Sequence, residues 1–497
     1  MMNAILVKAF LFICIFSLYG CSEEERSDIR FGLSSAPQNL DPRFATDATS
    51  SRVNRLLYRQ LVSFDKNYKP VADLAQWTML SPKEYRFTLK ESGRLFHNGE
   101  RLTSADVAAT FNFILDKSNG SPHRGTLAKR IHSFKVIDEN TLDFNLHYVD
   151  PLFPAYLGVG ILPKSLMDAG HPFSQQPVGS GVFKFIEWPK DGKLTLQRIS
   201  DDLVLTFIKT KDPSVRVLKL VRGEIDLLQN DLPKELVGFL KKQDSLDVTP
   251  FTGSNFSYVG FNLKDPLTGN LGIRQAIADA IDRRATIKYL LNNAARPANA
   301  FFPADHWAAN NTLGQYEHDP NKAIELLKSL GYDKQNPLQL TYKTSTNPLR
   351  VRIATVIQNQ LSKVGIELDV RTYDFGTFFA DIKKGNFQMY SLSWVGIKTP
   401  DIFEYVFDSK NTPDNKGANR GHYHNETVDG LIKKALSAEV LTEKAAYYQE
   451  IQAILFADLP YVPLWYEDHF IATAKHIHGY SVPVDGNYDG LKVIQRR

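Results

Sequence analysis

The sequence predicts an α/β protein that folds as at least two lobes, and three observations support this. The chain has 497 residues, whereas a single hydrophobic core stops growing at about 250 to 300 residues. Hydrophobic residues make up 43% of the chain and charged residues 23%, which is the composition of a folded globular protein. Alternating patterns typical of strands and amphipathic patterns typical of helices follow each other almost throughout.

The first half of the chain predicts a mixed sheet covered by helices. Alternation of apolar and polar residues predicts strands at residues 29–33, 85–89, 142–146 and 193–197. Apolar residues at helical spacing predict helices over 52–61 and 102–115. In the second helix Thr103 precedes Asp106 by three residues, a variant of the capping box that binds free amide groups of the first turn.

The second half predicts another α/β lobe. Helices are predicted at 272–281, 321–330, 349–364 and 375–384, and strands at 338–342, 366–370 and 387–393. Strands that alternate with helices favour parallel crossover units. Two α/β lobes that meet at a crevice commonly bind a ligand there, because strand ends and helix amino termini offer unpaired polar groups.

Charge and cysteine content exclude several classes of function. The 59 lysines and arginines exceed the 55 aspartates and glutamates by only four, and no basic run occurs. Nucleic acid is therefore not an implied partner, because phosphate binding needs a concentrated cationic surface. Both cysteines, Cys14 and Cys21, precede residue 22, so the rest of the chain has no thiol for a disulfide, a thiolate metal site or a cysteine nucleophile.

The first 27 residues have the pattern of a targeting segment. Residues 9–20 carry no charge but are too few to span a bilayer, which takes about 20 apolar residues, so 1–20 is expected to be a secretory signal peptide. Residues 18–21 (LYGC) are similar to a bacterial lipobox, which implies a lipid on Cys21 and a polar, membrane-anchored tether over 21–27. A plain signal peptide with a chance cysteine and a short uncleaved anchor are the alternatives.

Short motifs occur in a specific order along the exported chain. They are residues 39–42 (NLDP), 58–61 (YRQL), 70–75 (PVADLA) with Trp77, 87–89 (FTL), 96–99 (FHNG), 102–107 (LTSADV), 179–185 (GSGVFKF), 223–226 (GEID), 260–262 (GFN), 274–277 (RQAI) and 280–283 (AIDR). In this order they resemble the solute-binding proteins of peptide and nickel ABC importers, solute-binding protein family 5.

The resemblance implies a two-lobed, periplasmic-binding-protein-like fold of type II with a ligand cleft between the lobes. It implies lobe one over 28–66, 173–249 and 469–497, a small inserted subdomain over 67–172, and lobe two over 250–468. It also implies a monomeric, periplasmic or cell-envelope protein that is not an enzyme and uses no cofactor. Such a protein captures a peptide or other small solute and delivers it to ABC permease subunits in the inner membrane.

One departure from the family concerns the ligand. Peptide-binding members are similar to one another after a tryptophan, where an aspartate three residues later pairs with the peptide ammonium. Here Trp394 is followed three residues later by Ile397, and an aliphatic side chain cannot pair with an ammonium. The usual anchor is therefore absent unless Asp401 or another acid takes its place. A peptide anchored differently, a metal chelate or other small solute, and a ligand without a free amino terminus remain the three hypotheses.

Candidate ligand-binding residues lie beyond strand ends, on the segment between the lobes and around the tryptophan. They are Ser34, Ser35, Ala48, Thr49, Ser50, Asn255, Phe256, Tyr258, Trp394, Val395, Gly396 and Asp401. The hydroxyl and amide groups can bind a solute or the local backbone, and Trp394 can flank a solute or fill a core.

Two other kinds of site were considered. His422 with His424, and His476 with His478, have the spacing of two residues on one side of a strand, but two ligands do not close a metal site, so no metal is expected. An exported hydrolase is the rival class. The sequence has no Gly-x-Ser-x-Gly, no His-Glu-x-x-His and no phosphate-loop motif, which favours a binding protein.

Overall fold

A computed structural model describes residues 28–189, 192–415 and 417–497. The predicted signal peptide (1–20), the tether (21–27) and the lipidation site Cys21 lie outside the described residues. Across the described ranges, no helix combines the length and the apolar character needed to cross a bilayer. Strands and helices alternate along the chain, which confirms the predicted α/β class.

The elements are as follows. The strands are β1 (Ile29–Leu33), β2 (Val62–Phe64), β3 (Pro70–Ala72), β4 (Ala75–Ser81), β5 (Glu84–Leu89), β6 (Ile131–Val136), β7 (Thr141–Leu146), β8 (Phe183–Glu187), β9 (Lys193–Arg198), β10 (Val204–Lys209), β11 (Leu227–Gln229), β12 (Leu246–Phe261), β13 (Ala295–Pro297), β14 (Leu338–Ser345), β15 (Ile366–Tyr373), β16 (Met389–Trp394), β17 (Tyr461–Ala474), β18 (Ile477–His478) and β19 (Gln495–Arg496). The α-helices are Ala48–Leu57, Ser104–Leu115, Arg124–Arg130, Lys164–Asp168, Pro213–Val221, Lys234–Leu240, Leu271–Ala280, Arg283–Ala285, Pro320–Ser329, Pro348–Ser362, Phe375–Lys383, Ile402–Phe407, Glu426–Ser437 and Leu441–Asp458.

One eleven-stranded sheet runs through the middle of the molecule in the order β15-β14-β16-β12-β17-β11-β1-β10-β9-β8, and β13 pairs with β17 beside this path. Strand β14 is parallel to β15 and β16, and β1 is parallel to β10 and β11. These pairs confirm the predicted crossover units. The remaining pairs are antiparallel, so the sheet is mixed, as predicted.

Strands β12 and β17 connect two separate cores. They pair antiparallel from Leu246 opposite Ala474 to Gly260 opposite Tyr461, with an irregularity between Phe251 and Asn255. One end of this strand pair packs in a core formed by residues 29–58, 162–246 and 471–494, which we call the first lobe. The other end packs in two adjoining clusters within residues 256–466, which we call the second lobe.

A third core belongs to a smaller unit, which we call the insert. Its buried apolar residues lie between Leu61 and Ile161. They come from the four-stranded antiparallel sheet β4-β5-β7-β6 and from helix Ser104–Leu115, whose apolar face includes Phe111. The ring of Phe111 lies edge-on to that of Phe144, with centroids 5.7 Å apart, a favourable aromatic geometry.

Helix ends follow the predicted capping chemistry. The Asp106 carboxylate accepts hydrogen bonds from the Thr103 backbone N–H (2.8 Å) and hydroxyl (3.0 Å), and the Asp319 carboxylate accepts one from the N–H of Lys322 at 3.0 Å. Each bond satisfies a polar group that a helix start leaves unpaired. The two helices begin at Ser104 and Pro320, close to the starts that the sequence predicts at residues 102 and 321.

The helix predicted over 52–61 is wrong by four residues at each end, since it spans Ala48–Leu57. It begins after Asp47, whose carboxylate accepts from the N–H of Ser50 at 2.9 Å, and it ends because Tyr58 is extended. The glycine-rich approach to β8 packs on this end: Gly181 donates its N–H to the carbonyl of Leu57 at 2.8 Å. A Cβ atom at Gly181 would overlap the backbone of Leu56 and Leu57, so the motif allows the two segments to touch.

Candidate functional site

The two lobes are in direct contact through side chains of opposite charge. Lys398 Nζ of the second lobe lies 2.7 Å from Asp485 Oδ2, a residue of the carboxy-terminal segment of the first lobe. Arg352 and Glu235 form a second pair across the lobes at 2.6 Å. The predicted ligand-binding residues come from both lobes, and they differ in exposure.

Three of the first-lobe candidates form polar contacts at the surface. Ser34 Oγ donates to the Asp231 carboxylate at 2.8 Å, and the hydroxyl oxygens of Ser35 and Thr49 are 3.2 Å apart. Ala48 is exposed at the first turn of its helix. Ser34 and Thr49 are half-buried, whereas Ser35 and Ala48 are exposed.

Ser50 has an internal role instead. It is fully buried, and its hydroxyl oxygen accepts hydrogen bonds from the backbone N–H groups of Gln38 and Asn39 at 2.8 and 3.0 Å. The side chain therefore holds the loop that follows β1 against the first helix, as hydroxyl groups in loops commonly do.

The aromatic candidates form one cluster in the second lobe. Phe256 stands opposite Trp394 in the β12–β16 ladder. Tyr258 is fully buried and stacks on Tyr461 with centroids 4.0 Å apart. The guanidinium of Arg420 lies 5.0 Å from the centre of the Trp394 ring. In this structure Phe256 and Tyr258 face the core, whereas Trp394 is half-buried at its border.

The segment after Trp394 turns back toward the first lobe. Val395 is 52% exposed, and Gly396 adopts a φ of 69°, a left-handed conformation that favours glycine. Ile397 packs against the aromatic cluster. Asn255 Oδ1 and Trp394 Nε1 are buried, and neither has a hydrogen-bond partner among the residues that the structure describes.

A half-buried carboxylate that no sequence motif indicates lies on the connecting strands. Glu467 Oε1 accepts from Ser257 Oγ at 2.6 Å, from Ser393 Oγ at 3.2 Å and from Arg350 at 2.8 Å. Burial alone would raise the pKa of Glu467, but the Arg350 charge and these hydrogen bonds lower it below its usual value. No local motif marks Glu467, because its partners come from three other elements.

Both carboxylate oxygens of the candidate Asp401 are bonded to other side chains. Its Oδ2 lies 2.5 Å from Arg130 and also accepts from the hydroxyl of Tyr156, and both of these residues belong to the insert. Its Oδ1 accepts from Tyr448 at 2.9 Å and lies 3.8 Å from Lys444. Burial, followed by the Asp401 charge, raises the pKa of Tyr448 well above its usual value, so this phenol acts as a donor.

His306 is a further residue that the sequence analysis did not single out. Its ring stacks on Phe302 at 3.9 Å and lies 5.1 Å from Tyr68, between the second lobe and the insert. Nδ1 accepts from the N–H of Ala308 at 3.1 Å, which leaves Nε2 to donate to the carbonyl of Lys398 at 3.1 Å. Burial outweighs the bond to Lys398 and lowers the pKa of His306 from 6.5 to about 4.

We expect His306 to make the fold acid-sensitive. The unfolded chain takes up a proton on this ring below its ordinary pKa of 6.5, whereas the folded chain does so only near 4. Stability is therefore complete above pH 6.5 and falls by about 3 kcal/mol as the pH drops to about 4. Urea unfolding of wild type and His306→Gln across this pH range measures the expected loss of stability. Equal pH dependence in the two proteins would contradict the assignment.

A cavity of about 680 Å³ lies in the second lobe, and its lining includes none of the predicted site residues. Its lining comes from residues 282–318 and Tyr466. Arg283 in its wall donates to the carbonyls of Pro463, Tyr316 and Ala278 at 2.8, 2.7 and 3.1 Å. The wall is thus polar and largely satisfied by the protein itself.

The histidine pairs do not form a metal centre among the residues described, where no group of three potential ligands occurs. The expected strand at 422–424 is wrong: these residues follow a turn, and His422 has a φ of 55°. His476 Nε2 lies 3.3 Å from Asp226 Oδ1, a carboxylate that also binds Arg30 and Arg496.

Comparison with known proteins places these features in a wider group. A model of the bacterial extracellular solute-binding proteins, family 5, matches residues 68–415, which is more than half of the chain. The dipeptide-binding protein of Escherichia coli is 25% identical over 91% of this chain and 92% of the relative.

Two solved structures have the same overall fold. DppA from Helicobacter pylori, in complex with the peptide STSA, superposes with a TM-score of 0.76 and is 26% identical over 94% of this chain and 98% of that one. NikZ from Campylobacter jejuni, in complex with Ni(L-His), superposes with a TM-score of 0.79 and is 24% identical over 95% of this chain and 99% of that one. The likeness confirms the predicted two-lobed fold.

Proposed function

Because the chain belongs to family 5 of the bacterial extracellular solute-binding proteins, we propose that it captures a peptide between its two lobes and delivers it to a membrane permease. It is the substrate-binding component of an ABC importer of the peptide and nickel type, and its relatives are binding proteins rather than enzymes.

The observation that carries the proposal is the strand pair β12–β17. Among the described residues this pair joins the lobes within the central sheet, and its register is irregular between Phe251 and Asn255 and again between Ser257 and Tyr258. A ligand that touches both lobes only when they are closed has higher affinity for the closed arrangement, so it shifts the population toward closure. Binding therefore needs a hinge and two facing surfaces, and no reacting group.

Features of the site support a peptide as the solute. The dipeptide-binding relative matches almost the whole chain. A buried acceptor on Asn255 and a buried donor on Trp394 lack partners in the described protein, and peptide amides supply both complementary groups. Glu467 and Arg350 form an ion pair beside them.

Mass spectrometry of solute that co-purifies with the exported protein tests the proposal, followed by a thermal-shift series. Dipeptides and tripeptides are expected to raise the unfolding temperature, because a ligand at 100 times its dissociation constant adds about 2.7 kcal/mol of stability. Nickel–histidine and sugars are the comparison arms. A shift with nickel–histidine alone would contradict a peptide solute, and turnover of bound peptide would indicate a hydrolase.

We further propose that the mature protein is a monomer tethered to the membrane through a lipid on Cys21. The lipobox-like residues 18–21 and the polar residues that follow them support this. Cys21→Ala is expected to move the protein from the membrane fraction to the soluble fraction of cells. Unchanged retention in the membrane fraction would contradict the lipid anchor.

A further inference from the structure

Four charged side chains meet between the insert and the second lobe. The insert contributes Arg130 and Asp150, which are 3.0 Å apart. The second lobe contributes Lys444 and Asp401, which are 3.8 Å apart. Across the boundary Arg130 lies 2.5 Å from Asp401, and Lys444 lies 3.4 Å from Asp150. The insert is also bonded to the first lobe, since the N–H of His97 donates to the carbonyl of Gly179 at 2.8 Å. We therefore call these four residues the inter-lobe charge cluster.

The cluster is buried although it consists of charges. The side chains of Arg130, Asp150, Asp401 and Lys444 are at most 9% exposed, and that of Lys444 is 0% exposed. Two cations and two anions balance. Two tyrosines complete the cluster: Tyr448 donates to Asp401 at 2.9 Å, and the Arg130 guanidinium lies 3.6 Å from the centre of the Tyr156 ring. Buried charges persist only when they are paired and hydrogen-bonded in this way.

The cations and anions of the cluster are divided equally between the insert and the second lobe. Each side holds one cation next to one anion, so separation of the lobes leaves each side internally neutral and accessible to water. When the sides meet, the cation of each lies against the anion of the other. The same residues are therefore compatible with two discrete arrangements, and the cross-boundary bonds exist in only one of them.

We propose that the inter-lobe charge cluster stabilises the closed arrangement by itself, and that Asp401 holds the lobes together rather than binding the solute. This inference depends on the proposed function in one respect, because a solute is retained only when the lobes are closed. Both oxygens of Asp401 are occupied by protein donors, Ile397 is aliphatic, and Glu467 is paired with Arg350. None of these three positions offers a free carboxylate to an amino terminus.

Distance measurement between spin labels tests the cluster without any solute. Cys14 and Cys21 are the only cysteines, so a chain with Cys14→Ser and Cys21→Ser accepts labels at Lys135→Cys of the insert and Glu439→Cys of the second lobe, both exposed. Asp401→Asn and Lys444→Met are each expected to lower the ratio of short to long distances about tenfold, because each leaves the buried cluster with one unbalanced charge.

The matched control is Glu404→Gln. Glu404 pairs with Lys129 across the same boundary at 2.6 Å, but the two side chains are 23% and 47% exposed, and exposed pairs contribute little. Its distance distribution should equal that of the unsubstituted chain. Distributions that do not differ among all four proteins would overturn the proposal, as would an equal effect of Glu404→Gln and Asp401→Asn. Circular dichroism verifies that each variant is folded.

A second measurement distinguishes a role of Asp401 in lobe closure from a role in solute binding. Affinities for the dipeptide Ala-Phe and for N-acetyl-Ala-Phe are compared in wild type and Asp401→Asn. If Asp401 holds the lobes, the substitution weakens both ligands by the same factor. A loss confined to Ala-Phe would show that Asp401 binds the ammonium and would overturn the proposal. If neither ligand binds wild type, the peptide assignment fails while the spin-label distances still decide on the cluster.

Discussion

Replacement of Gly253 by alanine is expected to destabilise the protein by about 3 kcal/mol and to change how the lobes are joined. Gly253 lies in the irregular stretch of β12 between Phe251 and Asn255. An added Cβ would overlap the carbonyl oxygen of Glu467, which is backbone on the facing strand and cannot rotate away. The N–H of Gly253 also donates to Asp468 at 3.1 Å, so relief of the overlap costs a hydrogen bond.

Urea unfolding measures the stability, and small-angle scattering measures the separation of the lobes. The control is Gly430→Ala in helix Glu426–Ser437, where a Cβ meets no atom within 4 Å. Alanine is the better helix former by about 1 kcal/mol, so that variant should be as stable as wild type or slightly more stable. If Gly253→Ala behaves like the control, the close approach of the strands is not a constraint.

The substitution Asp226→Ala should destabilise the first lobe by about 3 kcal/mol. Asp226 is almost fully buried and accepts from the backbone N–H of Arg30 at 2.7 Å. Its carboxylate also lies 3.3 Å from Arg30 Nε and 3.1 Å from Arg496. Its removal leaves two guanidinium groups without this anion and releases the carboxy terminus from β1.

Calorimetric unfolding, together with proteolysis of the carboxy-terminal residues, checks this expectation. Glu224→Gln is the neighbouring control, since Glu224 pairs with Lys219 at the surface, where both side chains are about one-third or more exposed, and such pairs contribute little. An unfolding temperature for Asp226→Ala within error of that of Glu224→Gln would show that Asp226 does not connect the termini.

Local signals predicted most of the fold. Strand β1 and the helix starts at Thr103 and Asp319 depend on residues within a few positions of each other, and the structure has them where expected. The helix at Ala48–Leu57 shows the limit. Val53, Leu56, Leu57 and Leu61 are spaced for one helical face, but Leu61 joins the core of the insert instead. Packing against the glycine-rich segment ends the helix at Leu57.

The candidate site was harder to predict, because its polar contacts join distant parts of the chain. Arg130 and Asp401 are 271 positions apart, and Glu467 is bonded to residues of β12, β16 and the helix Pro348–Ser362. Sequence spacing identified Asp401 as an acid near Trp394 but contained no sign of Arg130. The assignment of Asn255, Trp394 and the first-lobe serines to solute binding stays a prediction.

The path of the sheet also sets the order in which the protein can acquire its structure during synthesis. Strand β11 lies between β1 and β17, and Tyr480, Tyr488 and Ile494 complete the core around Phe31. Strand β1 is therefore synthesised long before residues 480–494, and the core of the first lobe cannot close until those residues are present. Closure of the first-lobe core is therefore expected to follow that of the insert, whose core comes from residues between Leu61 and Ile161.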